Sequence, residues 1–145
     1  MNAHIPVAEL FLSESFLPDG LNIDSRDACG VTPFMDAARV DCIEICRLLW
    51  QHSGGKLNVD QTDLSGRSAL HMSAQSNACR VIRYLAGSLK CDIDKEDNWK
   101  QSPLFLAVRE GHEQATKLLL ELGAKLTVDA KGRSPSTIAQ QYGHD

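Results

Sequence analysis

The segment from residue 102 to residue 129 has the clearest alternation of apolar and polar positions in the chain. Apolar side chains stand at 104, 106, 107 and 108, and a second apolar group stands at 115, 118, 119 and 122. Spacings of three and four residues place such side chains on one face of a helix. The pattern therefore predicts two helices, one of about two turns and a second over 113–121, separated by Gly111 and His112.

Residues at the ends of this segment support the same two helices. Ser102 is placed to cap the first helix through its hydroxyl, and Pro103 takes the first helical position, where a missing N–H costs nothing. Gly123 follows the second helix as a C-terminal cap. The segment thus reads as a helix pair joined by a tight turn.

The opening phrase of this helix pair recurs along the chain. Its hydroxyl residue appears four times, at intervals of 36, 34 and 32 positions, and an aspartate stands five residues before each: Thr32, Ser68, Ser102 and Ser134, after Asp27, Asp63, Asp97 and Asp129. A small alanine near the middle of each first helix permits close stacking, at Ala38, Ala74, Ala107 and Ala139. Segments 57–66 and 91–100 combine β-formers with turn residues and predict hairpin-like fingers. The period is typical of helical-repeat binding proteins.

These phrases resemble the ankyrin repeat, with TPFMDAAR at 32–39, SALHMSAQ at 68–75 and a nearly ideal third copy. The resemblance covers roughly residues 21–145 and implies an all-α ankyrin-repeat solenoid of about four repeats, the last incomplete. It also implies a structural role for His71. Residues 1–20 contain an amphipathic stretch over 7–17, which we interpret as a capping helix or the remnant of a preceding repeat.

A narrower resemblance concerns residues 105–111 and the terminal IAQQYGHD, which are similar to the last ankyrin repeats of Notch receptor intracellular regions. The resemblance implies assembly with a CSL-type transcription factor and a Mastermind-like coactivator. Notch arrays carry about seven repeats, so this shorter array departs from them. The alternative is an unrelated ankyrin adaptor, or an inhibitor of a cytosolic partner such as a kinase or ubiquitin ligase.

Composition narrows the function classes. The chain is 43% hydrophobic with a net charge of −4, and no Lys/Arg cluster is dense enough to follow a phosphate backbone. We therefore expect no direct nucleic-acid binding. The apolar runs are too short to cross a bilayer and no basic leader precedes the first of them. These features favour the cytoplasm or the nucleus.

Catalysis and metal binding are disfavoured by how the reactive residues are arranged. The five cysteines contain no CxxC pair and the five histidines no HxxxH pair. Cys42 and Cys46 share a helix without nearby histidines and make a poor zinc site. Cys79 and His112 could approach each other through adjacent repeats, but their positions indicate different helical faces or turns. The sequence predicts free thiols, no cofactor, no metal and no enzyme activity.

Trp99 is the leading candidate for partner binding. It lies between Asn98 and Lys100 at a predicted finger tip, and tryptophan is enriched among interface hot spots. The other interpretation is packing of its ring over the neighbouring finger. Both interpretations remain open from the sequence.

A second candidate set lies seven residues after each hydroxyl and should form a polar column on the concave face: Arg39, Gln75, Arg109 and Gln141. Arg109 and Glu110 also fall in the Notch-like phrase, and we expect them to be exposed for charged contacts. A solvated or intramolecularly paired face is the alternative for each of them.

Overall fold

The computed structural model describes residues 26–143, which form three helix pairs and a final single helix. The predicted capping helix over 7–17 lies outside the described residues, and the boundary at residue 20 stays a prediction. No strand is assigned within residues 26–143. The helices are α1 (Pro33–Arg39), α2 (Ile43–His52), α3 (Ala69–Gln75), α4 (Cys79–Ile82), α5 (Pro103–Arg109), α6 (Glu113–Glu121) and α7 (Pro135–Gln141).

We refer to α1 and α2 as pair 1, to α3 and α4 as pair 2, and to α5 and α6 as pair 3. The first helices of the pairs stack in one row with α7, and the second helices stack in another. Three of the alanines predicted to allow this stacking have no exposed surface: Ala38, Ala74 and Ala107. The predicted all-α solenoid of stacked helix pairs is confirmed.

Each first helix begins at the predicted hydroxyl residue. The side-chain oxygen accepts a hydrogen bond from the backbone N–H three residues later, over 3.3 Å at Thr32 and 3.2 Å at both Ser102 and Ser134. Ser68 adds a reciprocal contact, because its own N–H donates to His71 Nδ1 over 3.1 Å. These caps satisfy N–H groups that the helix itself leaves without partners.

The second helices have no cap of their own, and the preceding pair supplies one. Asp41 Oδ1 accepts from Val81 N–H over 3.0 Å, and Asn77 Oδ1 accepts from Ala115 N–H over 3.2 Å. Both cap residues have φ of 58°, a left-handed conformation that Asp and Asn tolerate better than most residues. The turn inside one pair therefore fixes the second helix of the next pair.

The fingers are held in the same neighbour-to-neighbour way. Each finger aspartate accepts two backbone N–H bonds from its own turn, as Asp97 does from Trp99 and Gln101 over 2.9 Å each. Successive tips are joined by single backbone bonds of 3.0 Å: Leu64 N–H to Cys29 O, Asn98 N–H to Ser65 O, and Ala130 N–H to Trp99 O. The tips therefore form a continuous row.

The sequence did not indicate that α4 continues as a π-helical segment over Arg83–Ser88. Leu89 N–H donates to Tyr84 O, five residues back, and Leu85 stays fully buried. Such segments are rare and are often found at functional positions. This segment turns Arg83 and Tyr84 onto the outer surface of pair 2, where Arg83 is exposed and Tyr84 half-buried.

Candidate protein-binding surface

The third finger tip, residues 97–100, differs from the other three in its backbone. Gly30, Gly66 and Gly132 occupy the left-handed position of their tips with φ of 76–81°. Lys100 takes that position here with φ of 60°. A side chain in this conformation costs roughly 1 kcal/mol, and such local strain clusters at functional sites.

Trp99 is partly packed and partly exposed. Its ring lies over the Arg67 guanidinium, 5.5 Å from the ring centroid, and Arg67 Nε donates to Asp97 Oδ2 over 3.1 Å. Half of the Trp99 surface nevertheless remains exposed. One side of the indole is thus fixed by the neighbouring finger while the rest is available, so the choice between binding and packing stays open.

Leu64 lies beside this tip and was missed from the sequence. It is 69% exposed, and Asn98 Nδ2 donates to its carbonyl over 3.0 Å. The signal was present, because the equivalent tip positions hold the small or polar residues Ala28, Asn98 and Ala130. A large exposed apolar residue at this position could have been noticed. Leu64 and Trp99 are therefore two exposed apolar residues on two joined fingers.

Each member of the predicted polar column is the last residue of its first helix, and the placement of the column on the concave face stays a prediction. Arg39 pairs with Asp36 over 3.1 Å on an exposed surface. Arg109 donates to Gln101 Oε1 and to Glu110 Oε1 over 3.3 Å each. Its side chain is only 19% exposed, so the expectation of an exposed Arg109 was wrong. Neighbouring side chains already pair with both arginines of the column.

A pairing rule within this column was also missed. Two positions eight residues apart hold one arginine and one glutamine, and the order of the two residues alternates from repeat to repeat. The pairs are Arg67 and Gln75, Gln101 and Arg109, and Arg133 and Gln141. Two of these pairs are hydrogen bonded, over 3.3 Å for Arg109 and 3.4 Å for Arg133. The rule gives one guanidinium and one amide to each of these three repeats, whereas the first repeat has Val31 and Arg39 at the same positions.

Histidines in the array are structural. His71 is fully buried, and its Nε2 donates to Gln101 O of the next pair over 2.8 Å. Burial lowers the pKa of His71 below its usual value, against the opposing effect of the Gln101 carbonyl. His112 Nε2 donates to Gln75 O over 2.8 Å. His71 therefore holds its repeat as the sequence implied, and it also links that repeat to the next.

The thiols lack the features of nucleophiles. Burial raises the pKa of both Cys46 and Cys91 to about 12 and also raises the pKa of Cys79. Because His112 is engaged by Gln75, no imidazole polarises Cys79. Within residues 26–143 no three His, Cys, Asp or Glu side chains form a possible metal site, and no helix is long and apolar enough to cross a membrane.

Comparison with known proteins gives one consistent result. A family model for ankyrin repeats, described as three copies, matches residues 1–97 and 86–145. The chain is 28% identical over 134 residues to mouse Rabankyrin-5, covering 91% of this chain and 11% of that protein. It is 30% identical over 120 residues to inversin of Canis lupus familiaris and 32% identical to mouse inversin, covering 79% of this chain and 10% of each. The chain thus spans about a tenth of the length of these relatives.

Proposed function

The chain belongs to the ankyrin-repeat family, whose arrays generally act as non-catalytic protein-interaction modules, and we propose that a protein partner contacts it at Leu64 and Trp99. The observation that carries this proposal is the exposure of two large apolar residues, Leu64 and Trp99, on fingers that Asn98 joins; we call these two residues the apolar patch. Exposed large apolar residues held on rigid elements are typical of binding surfaces. The polar column beside the patch supplies a rim for charged contacts.

The rim follows from the same geometry. Arg39 and Glu110 are both exposed. Arg39 pairs with Asp36 in its own helix, and Glu110 pairs with the adjacent Arg109. A partner carboxylate or guanidinium can compete for such exposed pairs at little cost, because they contribute little to stability. Lys100 extends the same surface at the third tip. We therefore place Asn98, Lys100, Arg39, Gln75, Arg109 and Glu110 around the central patch.

The narrower version of this proposal is Notch-like assembly with a CSL-type transcription factor and a Mastermind-like coactivator. It rests on the phrases at 105–111 and at the end of the chain. Phe105 and Leu106 within that phrase are fully buried, so only its end offers contacts, and part of the likeness reflects the core. Rabankyrin-5 and inversin do not favour this version over an adaptor or inhibitor of a kinase or ubiquitin ligase.

The test is affinity capture from nuclear and cytosolic extracts with the intact chain and the variants Leu64→Ser and Trp99→Ala. Leu120→Ser is the matched control, because Leu120 is 45% exposed on α6, away from the fingers. We expect both tip variants to lose a partner at least about tenfold, as interface hot spots do, while the control retains it. Circular dichroism checks that every variant folds.

Purified proteins then separate the versions. Direct binding of a CSL-type factor together with a Mastermind-like helix would support transcriptional assembly, and recovery of a kinase or ligase instead would support the adaptor. Equal capture by the intact chain and folded Trp99→Ala and Leu64→Ser would overturn the proposed surface. Unfolding of Trp99→Ala alone would assign Trp99 to packing, and Leu64→Ser would then decide whether the patch binds.

A further inference from the structure

Arginines on the outer surface of pairs 1 and 2 are unlike the others in the described chain. Six of the eight arginines in residues 26–143 hydrogen bond to a carboxylate, carbonyl or amide oxygen: Arg26, Arg39, Arg67, Arg80, Arg109 and Arg133. Arg47 and Arg83 have no carboxylate within ion-pair distance in the described part of the chain, and both are exposed. These two arginines lie on adjacent second helices.

Tyr84 links Arg47 to the segment that carries Arg83. The Arg47 guanidinium lies 5.7 Å from the centroid of the Tyr84 ring, and Arg83 precedes Tyr84 in the π-helical segment. Arg80 lies one turn earlier and bridges to Glu44 on α2 over 2.9 Å. We call Arg47, Arg80, Arg83 and Tyr84 the outer basic patch. It contains three guanidinium groups and one partnering carboxylate.

The charge of this patch opposes that of the whole chain, whose net charge is −4. Lys56 and Lys90, in the turns after α2 and the π-helical segment, are further exposed cations of pairs 1 and 2. The equivalent helix of pair 3 carries Glu113 and Lys117 as an exposed ion pair over 3.1 Å, so it has no such excess. A local positive field on an acidic protein selects acidic partners.

We propose that the outer basic patch binds an acidic segment of a partner polypeptide, on the face opposite the fingers. Packed helices lie about 8–10 Å apart, and alternate side chains of an extended peptide lie about 7 Å apart. Carboxylates at alternate positions can therefore reach Arg47 and Arg83 together. Charge-assisted bonds of this kind are favoured by the planar donor geometry of arginine.

An acidic polypeptide suits the patch better than a lipid surface does. The exposed large apolar residues of the described chain all lie elsewhere, at Val40, Leu64, Trp99, Leu120, Leu126, Val128 and Tyr142. The patch therefore has no apolar side chain to insert between lipids, which interfacial membrane binding uses. The net negative charge of the chain also opposes approach to an anionic bilayer.

The test uses a fluorescein-labelled deca-glutamate peptide and fluorescence anisotropy at about 0.01 M and about 0.1 M salt, where the Debye length is about 30 Å and about 10 Å. We expect binding that weakens as salt rises. Arg83→Gln and Arg47→Gln should each weaken binding roughly fivefold, and Arg83→Lys should retain most of it. Glu44→Gln should strengthen binding, because it frees Arg80.

Lys117→Gln is the matched control, since it removes one exposed positive charge from the same row of helices. We expect it to change the affinity by less than about twofold. Absence of binding, or an equal loss with Lys117→Gln, would overturn the proposal. Binding of the chain to phosphatidylserine vesicles without binding to the peptide would also overturn it. Circular dichroism separates these results from misfolding, because within residues 26–143 the Arg83 side chain makes no hydrogen bond or ion pair that the substitution would break.

Discussion

The junction between pairs 2 and 3 and the junction between pair 3 and α7 are built differently. In the first junction, side chains of pair 2 accept main-chain N–H groups of pair 3, at Asn77 and at Asp94, which accepts from Lys125 over 2.8 Å. In the second junction Gly111 occupies the position equivalent to Asn77, and glycine has no side chain that could accept a hydrogen bond. Stability in a repeat array is a sum over such neighbours. The difference predicts that the stack is firmest in its middle.

Thr127 and the residues beside it show the same contrast. Asp60 accepts a hydrogen bond from the backbone N–H of Asp92, and Asp94 accepts one from the backbone N–H of Lys125. In each case the donor lies two residues before the equivalent position of the next repeat. Thr127 follows Lys125 by two residues, and its buried hydroxyl has no partner among the described residues. Leu126 and Val128, on either side of it, are 71% and 51% exposed. At this end of the described stack, exposed apolar residues therefore take the place of the aspartate acceptors that join the earlier repeats.

The largest effect that tests this contrast comes from equivalent core residues. Leu106 on α5 and Ile138 on α7 both stand four residues after their hydroxyl cap, and neither is exposed. Leu106→Ala should lower the free energy of unfolding by about 3–5 kcal/mol, because it opens a cavity at a fully buried position of pair 3. Ile138→Ala should cost less than about 2 kcal/mol, since α7 can unfold locally.

Urea denaturation followed by circular dichroism measures both values. Hydrogen exchange then shows whether α7 opens before pairs 2 and 3, as a less stable end should. Equal losses of stability for the two variants, with uniform exchange, would contradict the proposed difference between the junctions.

The next effect compares two glycines in the fingers. A Cβ added at Gly66 would lie 2.5 Å from Asn98 Oδ1 and 2.9 Å from Asn98 N, whereas one added at Gly132 would meet nothing within 4 Å. Both glycines have nearly the same φ, 77° and 76°. Gly132→Ala should therefore cost about 1 kcal/mol for backbone strain alone.

Gly66→Ala should cost about 1–3 kcal/mol more, because the added carbon crowds the neighbouring finger. The two thermal midpoints, measured side by side, give this difference directly. Similar midpoints for the two variants would mean that the tip of the second finger does not pack against the third in solution.

A smaller effect tests the cap that Asn77 supplies to α6. Asn77→Gly keeps the left-handed turn, as Gly111 does at the next junction, but removes the acceptor for Ala115 N–H. We expect a loss of roughly 0.3–1 kcal/mol, because glycine at a capping position costs less than alanine does. Glycine tolerates the φ of 58° without strain but loses more conformational entropy on folding, so these two effects oppose each other. Chemical denaturation of the variant beside the intact chain checks this value.

The smallest effect is a pH dependence confined to the middle junction. Burial lowers the pKa of His71, so the unfolded chain binds more protons than the folded chain below the usual value near 6.5. Stability from His71 is therefore fully present above that value and decreases as the pH falls below it. At pH 6 the loss should be at most about 0.8 kcal/mol.

The control for this effect is His71→Phe, because Phe105 occupies the equivalent position in pair 3. The variant should be less stable at neutral pH, since Ser68 and Gln101 lose a partner. The part of the acid sensitivity that arises from His71 should disappear in it. An unchanged difference in urea midpoint between pH 7 and pH 6 would show that other groups cause the sensitivity.

The sequence predicted local structure well because local residues determine it. The bounds of α5 and α6, the Ser102 cap and Gly123 as the C-terminal cap all follow from neighbouring residues, and the structure has them where they were expected. Contacts between repeats were not predictable in the same way. The pairing of Arg67 with Asp97 and Trp99 depends on how far one finger is shifted against the next, which no spacing within a single repeat specifies.

The same limit applies to the candidate surfaces. Trp99 was found because its residue type is unusual at a turn, whereas Leu64 gained meaning only when the tips were seen to be joined. The outer basic patch requires both the π-helical segment and the contact between Arg47 and Tyr84, which join residues 37 positions apart. Surfaces that combine residues from several repeats therefore cannot be predicted by considering each repeat separately.

The row of backbone bonds between finger tips has a consequence for how such a protein can change over evolution. Each bond joins residues about one repeat apart, such as Cys29 with Leu64 and Ser65 with Asn98. Duplication or loss of a whole repeat would leave every remaining bond between its own pair of neighbours. The array can therefore gain or lose length by gene duplication or deletion without the invention of a new core, while the tips remain free to diverge.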